Sequence, residues 1–219
     1  MHLLATQTGE IDDGTPAVNL EQSPGEIIIL SAADSEISGL AAAHSWHRAE
    51  DDTFPTLRLA NVMQLGHNLS VDLYVEAVIA QAKLVIIRLL GGRGYWEYGV
   101  EQITAVCHQK KIALAWLPGA DPPDVELAEQ ATLPAHETHR LWQYCVHGGP
   151  ANYRALLAYA ASLCGHDSAW HEPAPLLRAG VYWPVSYTHL RAHEPEAGIV
   201  CRLMIEKKTG GGGGGGGGG

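Results

Sequence analysis

Gly91–Tyr98 reads GGRGYWEY, which brings backbone freedom, one fixed positive charge and two large aromatic rings into eight consecutive residues. Arg93 has the planar fork that pairs bidentately with carboxylates, and Tyr95 and Trp96 offer flat faces. The stretch therefore suits contact with a planar, carboxylate-bearing ligand, with Arg93, Tyr95 and Trp96 as the candidate binding residues. The same residues also suit a tight strand-to-helix turn whose aromatics pack on a neighbouring domain, and residue types alone leave both readings open. GGRG matches neither the dinucleotide GxGxxG nor the phosphate-loop GxxxxGK(S/T) pattern, so a nucleotide site here has little support.

The chain has twelve histidines. His44 and His47 are three apart, as are His136 and His139, so each pair could share a helix face. Neither has the HExxH frame or a nearby cysteine pair, and two ligands do not make a metal site; the pairs read as solvated surface histidines. Cys107, Cys145, Cys164 and Cys201 are too dispersed for a zinc ribbon or a CxxC redox motif. Asp121, Asp124 and Glu126 read as the start of a helix. No GxSxG elbow or Ser/His/Asp spacing is present. No catalytic residue and no metal ligand is assigned.

These residues must be positioned by alternating strands and helices. Glu26–Leu30 (EIIIL), Leu57–Met63 (LRLANVM), Leu84–Leu90 (LVIIRLL) and Ile112–Leu117 (IALAWL) are short apolar runs of the kind buried on both faces. Between them lie helical patterns: one opened by Ser31–Asp34, one capped by Ser70 and running to Lys83, and one over Tyr95–Lys111. Such alternation, with short Gly/Ser/Pro connections, predicts an α/β fold with a doubly wound, mostly parallel sheet of Rossmann or flavodoxin type. Ligands of such sheets bind beyond the carboxyl ends of the strands, which singles out Ser31–Glu36 and Gly91–Tyr98. The sheet domain is expected over 1–124. A helical extension over 125–184 should follow, with helices at Glu137–Val146 and Ala151–Leu163 and a strand start at Ala179–Trp183.

With 46% hydrophobic and 17% charged residues, the 219-residue chain has enough apolar material for a core. Its net charge of −10 disfavours nonspecific nucleic-acid binding. No signal peptide or membrane span is evident, and scattered thiols suit a reducing cytoplasm. From Val185 the character changes. VSYTHLRAHE at Val185–Glu194 looks like a translated DNA-library adapter, and Gly210–Gly219 is unbroken glycine. Residues 185–219 are therefore expected to be a non-native, disordered tail, outside the fold.

Three stretches, MHLLATQTGEIDDG at the start, LLGGRGYWEYGVEQ, and GGPANYRALLAYAASL followed by AGVYWP, resemble the large subunit of aerobic cobaltochelatase (the CobN type), kin to the large subunit of magnesium chelatase. The likeness runs over nearly all of Met1–Pro184, with LLGGRGYW its most specific part. It implies an amino-terminal portion of a much longer subunit. The whole enzyme would insert Co²⁺ into hydrogenobyrinic acid a,c-diamide in aerobic cobalamin biosynthesis. ATP and Mg²⁺ would be handled by separate AAA+ and integrin-like partner subunits, and neither cofactor would be bound by this portion, which alone would be inactive. The other reading is a non-catalytic α/β domain that binds a small molecule or docks other subunits.

Overall fold

The structure, a computed structural model, describes residues 16–119 and 124–175, all within one compact unit. The expected strand start at Ala179–Trp183 and the tail from Val185 lie outside the described residues.

Four strands, β1 (Ile27–Ser31), β2 (Leu57–Asn61), β3 (Leu84–Leu89) and β4 (Ala113–Pro118), form one sheet in the order β2-β1-β3-β4. Every pairing is parallel. Parallel strands need helical crossovers, which bury the sheet on both faces; accordingly all five residues of β1 are buried. Successive side chains alternate between the faces. Ile27, Ile29, Leu84, Ile86, Ala115 and Leu117 pack beneath α1 (Asp34–Glu50), α5 (Ala135–His147) and α6 (Gly149–Leu163). Ile28, Leu30, Val85, Ile87, Leu114 and Trp116 pack beneath α2 (Asn68–Ala77) and α3 (Glu97–Lys110). The doubly wound parallel expectation is met, and the helices after β4 are layers of the same sandwich.

Several boundaries differ from expectation for local reasons. β2 ends at Asn61, whose side chain accepts from the Met63 N–H and opens a 3-10 turn over Val62–Leu65. Ser70 lies inside α2 and does not cap it. The cap is His67, whose ring nitrogen accepts from the Leu69 N–H, while the buried Ser70 hydroxyl accepts from the Val18 N–H at 2.8 Å. α2 stops at Ala77, and a separate 3-10 turn at Ile79–Gln81 completes the span toward Lys83. Asp124 does start a helix, accepting from the Leu127 N–H to cap α4 (Val125–Glu129).

The edge strand β4 is blunted by the segment that follows α4. Leu114 donates to the Thr132 hydroxyl at 2.7 Å and accepts from the Thr132 and Leu133 N–H groups, which closes a stretch of ladder otherwise open to a second chain. After α6 the chain laps back over α5 and α6. Glu172 forms a two-bonded pair with Arg140, at 3.0 and 3.1 Å, and the Arg140 guanidinium lies over the rings of Tyr159 and Trp170. Tyr144 donates its hydroxyl to the His171 carbonyl. Asn152, almost fully buried, donates to the Gly148 and Ala174 carbonyls and accepts from the Ala174 N–H. Replacing Asn152 with Ala removes all three bonds and strands buried backbone groups, at a cost of about 2–3 kcal/mol. Urea unfolding of Asn152→Ala measures this; a loss under roughly 0.5 kcal/mol would show that other contacts hold the lap.

Candidate functional site

With the order β2-β1-β3-β4, the strand order reverses at the β1/β3 pair, the place where doubly wound sheets leave a crevice beyond their carboxyl ends. Ser31 is the last residue of β1, and Arg88 is its register partner on β3. Glu36, from the first turn of α1, fills the space above them and is 3% exposed. Its carboxylate takes the Ser31 hydroxyl on Oε2 at 2.5 Å and the Arg88 guanidinium on Oε1 at 2.9 Å. Ser31 Oγ also accepts from the Ala33 N–H, and Arg88 reaches the Gly119 carbonyl beyond β4 at 3.2 Å. One ion pair thus ties the ends of β1, β3 and β4 to the start of α1. Beneath it lies Cys145 of α5, whose thiol is pushed well up by burial and then by the Glu36 carboxylate.

A small cavity of about 180 Å³ opens on this cluster, lined by Ser31, Ala33, Glu36, Arg88, Leu90 and Gly119. A larger one of about 550 Å³ adjoins it along Gly91–Gly94, Pro118, Asp124 and Glu126. The connecting loop needs its glycines: Gly91 and Gly92 have φ of 92° and 72°, a region that side chains strain to adopt. The loop then makes a 3-10 turn over Arg93–Tyr95 before α3.

The three candidate residues of this loop have different surroundings. Arg93 pairs with Glu101 at 2.8 Å and more loosely with Glu97 at 3.7 Å, while its Nε is without a partner. Tyr95 is exposed and its hydroxyl approaches the sulfur of the exposed Met63 at 3.0 Å. Trp96 is turned inward, 6% exposed, with its indole N–H donated to the Leu65 carbonyl. A methyl group on Gly99 would overlap the Trp96 ring, so that glycine exists to admit the indole. Trp96 thus anchors the loop to the core, while Arg93 is half-buried and Tyr95 is exposed, as are Leu90 and Val125.

The histidine pairs are differently employed. His44 and His47 are half-buried and not merely solvated. Their Nε2 atoms meet the Pro55 and Arg154 carbonyls, and His47 stacks on Phe54 at 4.3 Å. His136 and His139 are exposed. Among the described residues no three potential metal ligands gather.

Sequence reasoning pointed to Ser31–Glu36 and Gly91–Tyr98 but passed over Arg88. The signal was present: a lone charge inside LVIIRLL, in a strand otherwise apolar on both faces, must find a buried partner. What a single sequence lacks is the partner's name, since Glu36 is 52 residues away. Removing one member should leave the other buried and unpaired. Arg88→Met is therefore expected to cost roughly 3 kcal/mol, and adding Glu36→Gln should recover most of it. Urea titrations of the two single variants and the double variant measure this. Additive losses would show that the pair is not coupled.

No protein-family model matches the chain. Over 187 residues it is 44% identical to the aerobic cobaltochelatase subunit CobN of Pseudomonas aeruginosa, covering 84% of this chain and 14% of that relative. To the CobN subunit of a Sinorhizobium species it is 42% identical over 184 residues, with the same coverage of both chains. In the catalytic subunit of cobaltochelatase from Mycobacterium tuberculosis, a region covering 72% of this chain and 12% of that one matches with a TM-score of 0.56 and 24% identity, which shows the shared fold. The chain thus matches about one-seventh of the length of these CobN relatives, and over that stretch it is similar to aerobic cobaltochelatase subunits.

Proposed function

We propose that this chain serves cobalt insertion as one domain of a cobaltochelatase large subunit, and that the carboxyl edge of its sheet contacts the tetrapyrrole. The identity to CobN subunits over 84% of the chain carries the first half of this reading. The whole enzyme would place Co²⁺ in hydrogenobyrinic acid a,c-diamide, with ATP and Mg²⁺ handled by AAA+ and integrin-like partner subunits. The free thiols of Cys107, Cys145 and Cys164 suit work in a reducing cytoplasm. No helix among the described residues is long and apolar enough to cross a membrane.

The second half rests on the loop. The half-buried Arg93 lines the 550 Å³ cavity, and the exposed Tyr95 stands next to it in the loop, on a backbone that Trp96 pins from below. A carboxylate side arm would compete with Glu97 and Glu101 for Arg93, and an exposed aromatic ring would meet the flat face of a macrocycle. Because Arg93 is already paired, its gain on binding is a difference between two ion pairs, modest in water. The exposed Met63, Leu90 and Val125 favour a second reading, in which the same rim docks another part of the subunit or a partner.

Two measurements test these readings. The 219-residue chain, mixed with both partner subunits, Co²⁺, substrate and MgATP, is expected to give no turnover; cobalt insertion above background would contradict the view that catalysis needs the rest of the subunit. In the full-length subunit, Arg93→Ala is expected to weaken tetrapyrrole binding about two- to fivefold, the modest difference between two exposed ion pairs. Unchanged affinity would leave docking as the role of the loop.

A further inference from the structure

The pocket of about 180 Å³ above Ser31, Glu36 and Arg88 is well below the roughly 300–1,000 Å³ that encloses a whole small molecule, so it fits one side arm and not a ring. Its polar wall is the Glu36–Arg88 pair, joined from Arg88 Nη1 to Glu36 Oε1 at 2.9 Å, with 22% of the Arg88 side chain and 4% of the Glu36 side chain exposed. Both partners have bonding capacity beyond this pair. Each Arg88 η-nitrogen carries two hydrogens; among the described residues Nη1 donates to Glu36 and Nη2 to the Gly119 carbonyl. The carboxylate has about four lone-pair sites, and Ser31 and Arg88 occupy one on each oxygen. The Gly119 carbonyl, also in the wall, has a second lone pair beside the one that faces Arg88.

The pair is neutral as a unit, and that decides what the pocket can take. A carboxylate arm would be repelled by Glu36, and the guanidinium that could offset the repulsion is already bound to that residue. An ammonium would meet Arg88 in the same way. A hydrocarbon arm would strip water from both partners and return no hydrogen bond. A primary carboxamide carries no charge and sets an acceptor and a donor on neighbouring atoms, as the pair sets a donor and an acceptor at Nη1 and Oε1. Resting on the proposed contact between the carboxyl edge and the tetrapyrrole, we infer that this pocket is a subsite for a neutral carboxamide arm of the macrocycle. The arm's carbonyl accepts from Arg88, and its NH2 group donates to Glu36 or to the Gly119 carbonyl. Glu36 and Arg88 then determine specificity, because the Glu36 charge is what excludes a carboxylate from the same place.

The test compares hydrogenobyrinic acid a,c-diamide with hydrogenobyrinic acid, in which carboxyl groups stand where the diamide has its amides. Each is titrated into the full-length subunit and followed by the absorbance of the macrocycle. The parent is expected to bind the diamide about tenfold more tightly. Glu36→Gln leaves the Arg88 charge unmatched, so the preference should reverse toward the acid. Glu36→Gln combined with Arg88→Met removes both charges, and the two ligands should then bind within about twofold of each other. Urea unfolding of the variants ensures that folded protein is compared, and a Glu36 with a purely structural role would weaken both ligands in equal proportion. Equal affinity of the parent for both ligands would overturn the inference, as would a preference for the diamide that survives in both variants. If Arg93→Ala still weakens binding in that case, the carboxamide subsite alone falls. If neither Arg93→Ala nor Glu36→Gln changes either affinity, the proposed contact at the carboxyl edge falls with it.

Discussion

β1 and β3 lie side by side and parallel at the centre of the sheet, and the rest of the molecule is arranged around that pairing. Because both strands run the same way, each must be followed by a helix that crosses a face, and neither face can be left to water. α1 with α5 and α6 takes one face, α2 with α3 the other. The price is polar backbone and side chains gathered where the two strands end, because the chain leaves the sheet there. Ser31, Glu36 and Arg88 satisfy one another at that point, and the Arg88 bond to the Gly119 carbonyl carries the link on to β4.

A buried ion pair of this kind is weak evidence for net stability, since desolvation offsets most of the attraction. Its clearer consequence is geometric. The start of α1 is held against the end of β3, so the loops that begin there leave from fixed points. Gly91 and Gly92 then turn the chain outward, and the Trp96 indole returns it to the core. Between those anchors Arg93 is half-buried and paired with Glu101, and Tyr95 is exposed, on a short and doubly tethered loop.

The strands and most helices were legible because their signals are local: EIIIL, LVIIRLL and IALAWL are short apolar runs of the kind that strands buried on both faces use. The boundaries were not, because they depend on which side chain reaches a backbone group first. Ser70 looks like a cap in sequence, but His67 caps α2 and Ser70 holds Val18 instead. The loop was identified by composition, yet the division of labour within it, with Trp96 inward and Tyr95 outward, is set by Gly99 and Leu65 across the fold. The Glu36–Arg88 pair is a long-range fact of packing that no spacing in one sequence encodes.

We propose that the carboxyl edge of this sheet contacts the tetrapyrrole. Hydrogen–deuterium exchange on the full-length CobN subunit, with and without hydrogenobyrinic acid a,c-diamide, tests it most directly. The account predicts slowed exchange in Gly91–Tyr98 and Ser31–Glu36 on binding. Exchange unchanged in both segments, with protection confined to the rest of the subunit, would contradict it.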